Sequence, residues 1–243
     1  MHLIKVNAIP STNSFVREMF KENSGMPITC VVAHQQLQGR GQRGTAWESK
    51  AGQNLTFSLL LPKPGICLSS QFLLSAVVST SLIKVLGKFK VPRLKVKWPN
   101  DIMAGNFKIG GVLIENIVNE GALVASVIGI GLNVNQEVFP EIPQAGSLKM
   151  LTGKKFSLEE ILQEIMDTME VDLNNLEESH AEKILQEYKE NLFRFNMPST
   201  FQFPDKTLFL GIIEGVSLSG KLKVNMGDHL IREFDLKEIK LCF

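Results

Sequence analysis

The run QGRGQRGTAW, Gln38 to Trp47, holds three glycines and two arginines in ten residues, with no aliphatic side chain larger than alanine. Such a segment cannot fill a core or sustain a regular helix. Gly39, Gly41 and Gly44 let backbone amides come close to a ligand, while the guanidinium forks of Arg40 and Arg43 suit a carboxylate or a phosphate. The lysine and hydroxyl that end a Walker A loop are missing, and the glycines precede a strand rather than open a helix, which excludes a dinucleotide fingerprint. Standing alone, the run would be a flexible surface loop with incidental arginines. It is followed, however, by KWPND, Lys97 to Asp101, a tryptophan, a proline-fixed turn and an amide–carboxylate pair at a strand end. Next comes FKIGGVLIEN, in which Lys108 opens a strand carrying Gly110 and Gly111. A solvated lysine, and an Asn-Asp turn bonding its own backbone, are the plain alternatives for Lys108, Asn100 and Asp101.

These residues need a scaffold, and the rest of the chain supplies one. Ser11-Thr12-Asn13 are capping residues before a short helix with Phe15, Met19 and Phe20 on one face. ITCVVAH from Ile28 and NLTFSLLL from Asn54 read as buried strands flanking the glycine run. A helix is expected from Ser69 to Leu86, stopped by Gly87, followed by the strand LKVKW. KIGGVLIENIV and ALVASVIGIGLNVN form a strand pair joined at Asn119-Glu120-Gly121. Ser157 and Glu160 make a capping box before one helix, and another covers His180 to Leu192. From about Asn196 the sequence changes to short β-rich pieces between Gly, Pro and Asp turns, expected as a small barrel after an α/β domain. Extra strands of the main sheet are the lesser alternative.

Composition bounds the chemistry. With 243 residues and 44% hydrophobic content the chain can bury a sizeable core. Lys plus Arg number 26 against 25 Asp plus Glu, so no broad basic field exists for nucleic acid or anionic membrane, and any charged ligand is handled locally. Cys30, Cys67 and Cys242 are odd in number and widely spaced, which fits a reducing compartment rather than disulfides or a zinc site. No signal peptide is read at the N-terminus and no apolar stretch of bilayer-spanning length, so the expected location is cytoplasmic.

Taken jointly, STN at Ser11 to Asn13, QGRGQRGTAW, KWPND, KIGGVLIE at Lys108 to Glu115 and GIGLNVN at Gly129 to Asn135 resemble the biotin protein ligases in order and spacing over most of the chain. The resemblance implies an α+β fold, a mixed β-sheet flanked by α-helices of the class II synthetase-like biotin/lipoate ligase type over 1–195, with a small SH3-like β-barrel over 196–243. It implies ATP and biotin as substrates, Mg²⁺ with the ATP, biotinyl-5′-AMP as intermediate, and a biotin carboxyl carrier domain as acceptor. Ser11, Thr12 and Gln36 match contacts to the ureido ring, Gly111 and Leu113 line that pocket, and Gly39 belongs to the same loop. Plain helix capping is an equally good reading for Ser11 to Asn13. Arg40 and Lys108 match groups on the carboxylate and reacting phosphate, with Arg43 adding charge. Trp47 matches the aromatic near adenine, for which a core role competes, and Asn133 the amide reading the adenine edge in bidentate fashion. Asn100 is assigned near phosphate, Asp101 to accepting the incoming lysine's proton, and no side chain to direct metal ligation.

Biotin's carboxylate is already ionised at neutral pH, so the chemistry calls for cations rather than a deprotonating base. Many family members carry arginine where Gln42 and Thr45 stand, so adenylate retention here falls to Arg40, Arg43 and loop ordering. A lipoate or octanoate ligase, a repressor needing an N-terminal DNA-binding domain for which the chain's start leaves no room, and a non-catalytic binding module are the competing readings. Exposed edge strands would admit a homodimer.

Overall fold

A computed structural model describes residues 1–243 apart from Glu141, Asp228 and His229; the side chain of Arg43 is also outside the described residues. The first sheet contains β1 (His2–Ile9), β2 (Thr29–Gln36), β3 (Leu55–Pro62), β4 (Leu94–Lys97), β5 (Asp101–Ala104), β6 (Phe107–Asn119) and β7 (Ala122–Leu132). Its seven strands run in the order β1-β2-β3-β7-β6-β5-β4. Only β1 and β2 are parallel; the other neighbours are antiparallel, so the sheet is mixed as expected. β1 was not anticipated, because Lys5 and Asn7 break its apolar run and it lies largely exposed at the edge. β3 is buried on both faces, which its continuous apolar sequence reflects. The β6–β7 hairpin turns through Glu120 (φ 50°) and Gly121 (φ 80°), a pair of left-handed residues that matches the twist of the strands.

Among the described residues the α-helices are α1 (Thr12–Glu22), α2 (Phe72–Lys88), α3 (Leu148–Thr152), α4 (Leu158–Asn174) and α5 (Ala181–Glu190). α2 is buried on nearly every side, between the sheet and α4 and α5. Against the sequence expectation, Leu68–Lys88 is long and apolar enough to cross a bilayer; 72% of that window is buried inside the protein, as befits a central core helix. Gly87 does not stop α2 but lies within its last turn, and the chain leaves through Lys90 at φ 59°. Ser157 caps α4 by accepting from Glu160 N at 3.3 Å.

The two faces of the sheet are used differently. One packs α2 and α4 in a continuous core containing Leu73, Val78, Leu82, Ile128, Ile165 and Met169. On the other, Val31, Leu60, Ala125 and Val127 receive Val16 and Phe20 of α1. Each buried Val, Leu, Ile, Phe or Met side chain contributes about 1.5–3 kcal/mol. Beyond the N-terminus of α1 that face continues into cross-strand rows made, apart from Leu113, of small or polar residues. Ser58, Gly129 and Leu113 form one row; Thr56, Gly131, Gly111, Asp101 and Lys97 form the next. The first turn of α1 reaches only the Ser58–Gly129 end of these rows, and a hollow remains above the rest.

The C-terminal unit is a second, antiparallel sheet of β8 (Pro198–Gln202), β9 (Leu208–Val216), β10 (Leu222–Asn225), β11 (Ile231–Phe234) and β12 (Lys240–Cys242), in the order β11-β10-β9-β8-β12. This second sheet agrees with the small C-terminal β unit expected from the sequence. Phe201 and Phe234 join the same core as the main sheet, and Trp98 Nε1 donates to Gly220 O at 2.8 Å.

Candidate active site

The hollow is a cavity of about 600 Å³, bounded by the start of α1, the 38–47 segment, the Trp98–Asp101 turn and the floor strands β6 and β7. Ser11, Thr12, Gln36, Arg40, Trp47, Asn100, Asp101, Lys108, Gly111 and Leu113 all line it. Gly39 instead lines a neighbouring groove on the outer side of the loop, and Asn133 is absent from the lining.

The 38–47 segment is a tight hairpin. Trp47 N donates to Gly39 O at 2.9 Å, Gly41 N to Thr45 O at 2.7 Å, and Arg40 bridges Ala46. A Cβ on Gly39 would stand 2.3 Å from Trp47 O, so the close approach requires glycine there. Thr45 Oγ1 donates to Gln42 O at 2.9 Å, so the two residues that stand in place of arginines tie the turn together.

At the α1 end, polar groups satisfy one another. Ser11 caps the helix through Ser14 N at 3.5 Å, while Thr12 donates to Gln36 Oε1 from its amide (2.8 Å) and hydroxyl (3.0 Å). Capping and cavity lining are therefore both true of this motif. Ser58 Oγ lies 2.7 Å from Thr12 Oγ1 and 2.6 Å from Asn13 Oδ1. Asn13 Nδ2 donates to Glu115 Oε2 at 2.7 Å, and Arg40 Nη2 donates to the same oxygen at 3.0 Å.

At the other end, Lys108 Nζ pairs with Asp101 Oδ1 at 2.5 Å and lies 5.8 Å from the centre of the Trp47 ring. The Asn100 amide donates to Val112 O, holding the turn against β6, and Tyr188 donates to Pro99 O at 3.0 Å from α5. Backbone anchoring is thus a demonstrable role of Asn100. Lys97 and Lys237 also line the cavity, and neither forms an ion pair among the described residues. Burial holds the Lys97 ammonium below the ordinary lysine range; Asp101 pulls it back up, while Lys108 and Lys240 push it further down. Because the unfolded chain binds this proton more readily, charging Lys97 costs stability below its folded pKa. Lys97→Met is therefore expected to melt at a higher temperature than wild type at pH 7, with the difference vanishing as the pH approaches 10.5. Thermal denaturation of the two proteins at both pH values checks this.

Trp47 lies flat on the glycine floor. A Cβ on Gly131 would be 2.2 Å from Trp47 Cε2, and one on Gly111 3.4 Å from Cζ3. Trp47 Nε1 is buried without a partner, as is Asn133 Oδ1. Asn133 Nδ2 donates one of its two N–H groups to Gly146 O at 3.0 Å, which leaves the other N–H and Oδ1 as the donor–acceptor pair that the bidentate expectation needs. Among the described residues no group of three or more His, Cys, Asp or Glu gathers to hold a metal.

Asn13, Lys97 and Glu115 lie in recognised motifs without an individual site role, and Ser58 and Lys237 received no role from the sequence. Ser58 and Glu115 look like ordinary strand residues, and Lys237 arrives from the second sheet. The alternation Gly129-Ile130-Gly131 was the available signal: glycine on one face of a branched strand marks close approach by another group. Those groups are Asn13, whose Oδ1 would be 2.3 Å from a Cβ on Gly129, and Trp47.

Comparison with known proteins agrees with this geometry. The family profile described as Biotin/lipoate A/B protein ligase family matches residues 6–133. The bifunctional ligase/repressor BirA of Bacillus spizizenii is 32% identical over 169 residues, 68% of this chain and 51% of that protein. A biotin--[acetyl-CoA-carboxylase] ligase of Paracoccus denitrificans is 36% identical over 106 residues, 43% of each chain. The matched region thus spans about half the length, or less, of these curated relatives. The structure of a biotin protein ligase from Aquifex aeolicus, solved in complex with biotin and ATP, aligns with a TM-score of 0.80 at 26% identity, covering 99% of this chain and 98% of that one.

Proposed function

We propose that this chain, which belongs to the biotin/lipoate A/B protein ligase family, activates biotin with MgATP and transfers it to a lysine of a biotin carboxyl carrier domain. The observation that carries the reading is that one cavity gathers three kinds of group. The first is a hydroxyl–amide cluster at Ser11, Thr12 and Gln36, the second the cations Arg40 and Lys108, and the third the indole of Trp47. A cyclic urea, offering two donors and one acceptor, suits the first. An ionised carboxylate and phosphates suit the second. A purine, with a flat face and polar edges, suits the third.

In the first step a biotin carboxylate oxygen attacks the α-phosphorus, the Pα–O–Pβ bond breaks, and pyrophosphate leaves with its magnesium. Bringing an anion to a polyanion is the difficulty, and Arg40, Lys108, Lys97 and Lys237 supply the offsetting charge at the cavity wall. In the second step the carrier lysine's amine attacks the acyl carbon, AMP departs, and the released proton passes to Asp101. Magnesium enters as part of the nucleotide substrate; among the described residues the carboxylate lining the cavity, Asp101, is paired with Lys108.

A lipoate ligase is the second reading, and the Thr12–Gln36 cluster disfavours it, since a dithiolane ring offers no hydrogen-bonding partner for such a group. Mass spectrometry of a carrier domain after incubation with the protein, MgATP and either biotin or lipoate tests the proposal. A mass increase with biotin alone is expected; labelling by lipoate alone, or by neither acid, rejects it. Closure of the 38–47 hairpin over the mixed anhydride would exclude water. Amide exchange at Gly39 to Thr45 should therefore slow when biotin and ATP are added, and equal exchange would count against closure. Arg43 shares in adenylate retention on this reading, so Arg43→Ala should accelerate biotinyl-AMP release. The sequence reading of a cytoplasmic enzyme in two domains, 1–195 and 196–243, free of nucleic acid and membrane, accompanies this proposal. Light scattering would reveal any homodimer.

A further inference from the structure

Arg40 lines both the main cavity and the groove outside the loop, whereas Glu115 lines only the outer groove. The two meet at 3.0 Å, with the arginine side chain 48% exposed and the glutamate 23%. Glu115 is not free to follow the loop. It projects from β6 next to Val127 of β7, and its Oε2 is held at 2.7 Å by Asn13 Nδ2. Asn13 is in turn fixed at its other atom by Ser58, which is fully buried, and wedged over Gly129, where a Cβ would lie 2.3 Å from it. The chain of contacts Ser58, Asn13, Glu115, Arg40 thus runs from the rigid floor to the otherwise exposed loop.

We propose that Glu115 is a positioning residue for Arg40, a fixed anion that holds the guanidinium at the boundary between the cavity and the outer groove. An arginine on a glycine-rich loop would otherwise sample many rotamers, and ordering it would oppose ligand binding. Anchored by Glu115, it is already aimed when a carboxylate arrives, and one guanidinium has enough donors to serve both anions. For the effect on catalysis the inference rests on the ligase reading; for the effect on the loop it does not.

The test is a double-mutant cycle on the full chain, using Glu115→Gln, Arg40→Ala and their combination, with biotinyl-AMP dissociation measured by rapid dilution. Glu115→Gln is nearly isosteric and keeps an acceptor for Asn13. It is expected to speed release about three- to ten-fold, an effect between those of an exposed and a desolvated ion pair. The double variant should release no faster than Arg40→Ala, because Glu115 acts only through Arg40. Release by Glu115→Gln at the wild-type rate, or multiplicative effects in the double variant, would overturn the proposal. Amide exchange at Gly39 to Thr45 in ligand-free protein is the second readout. It should be faster in Glu115→Gln than in wild type and restored in Glu115→Asp; an unchanged loop in Glu115→Gln rejects the anchor even if no adenylate forms.

Discussion

Replacing Lys108 by alanine is expected to slow adenylate formation by about 10²–10³, the loss typical for one preorganised donor at a developing charge. Lys108 lies between Asp101, at 2.5 Å, and the Trp47 ring, at 5.8 Å, so its ammonium stands where the acid-binding and nucleotide-binding parts of the cavity meet. Its removal also breaks the ion pair with Asp101, which leaves more negative charge beside an incoming polyanion and raises the barrier for the first step further. The fold should survive, because both side chains are partly exposed and such pairs contribute only about 0–1 kcal/mol. Biotin-dependent exchange of labelled pyrophosphate into ATP measures the step directly. A Lys108→Ala variant exchanging at the wild-type rate would remove this lysine from the chemistry.

The floor glycines should separate the two substrates. Gly131→Ala puts a methyl group 2.2 Å from Trp47 Cε2, and Gly129→Ala puts one 2.3 Å from Asn13 Oδ1. In each case the neighbour has to move, at a cost of about 1–3 kcal/mol for overpacking. Moving Trp47 disturbs the nucleotide end, so Gly131→Ala should weaken ATP binding by about 5- to 150-fold, which is that cost expressed as affinity, with biotin affected far less. Moving Asn13 disturbs the cluster of Thr12, Ser58 and Gln36, so Gly129→Ala should weaken biotin binding and spare ATP. Calorimetric titration of both variants with each substrate reads the crossed pattern. If both variants lose the same substrate equally, the assignment of the two ends of the cavity fails.

Much of the fold follows from local patterns. The buried run of β3, the β6–β7 hairpin with its Asn-Glu-Gly turn, the Ser157 cap and the change of character near Asn196 all reappear, because period, turn chemistry and capping act over a few neighbouring residues. The edge strand β1 was missed because an exposed strand needs no strict alternation, and a helix as enclosed as α2 reads like a membrane span because burial in protein and in lipid select the same residues.

For the site, the sequence by itself determined the identity of the chemical groups. Arg40, Lys108, Asp101, Trp47 and the Ser11 to Asn13 turn were recognisable from residue type and order, and the structure brings them to one cavity. Only the tertiary structure decided which atoms remain available. It ties one N–H of Asn133 to Gly146, seats Asn100 against β6, pairs Lys108 with Asp101, sets Ser58 beneath Asn13 and Glu115 against Arg40, and brings Lys237 to the cavity from a segment with no motif of its own. The reason is physical. A donor or acceptor is committed by whatever lies within about 3 Å of it in space, and across strands and sheets that neighbour is set by register and packing, not by the adjoining residues.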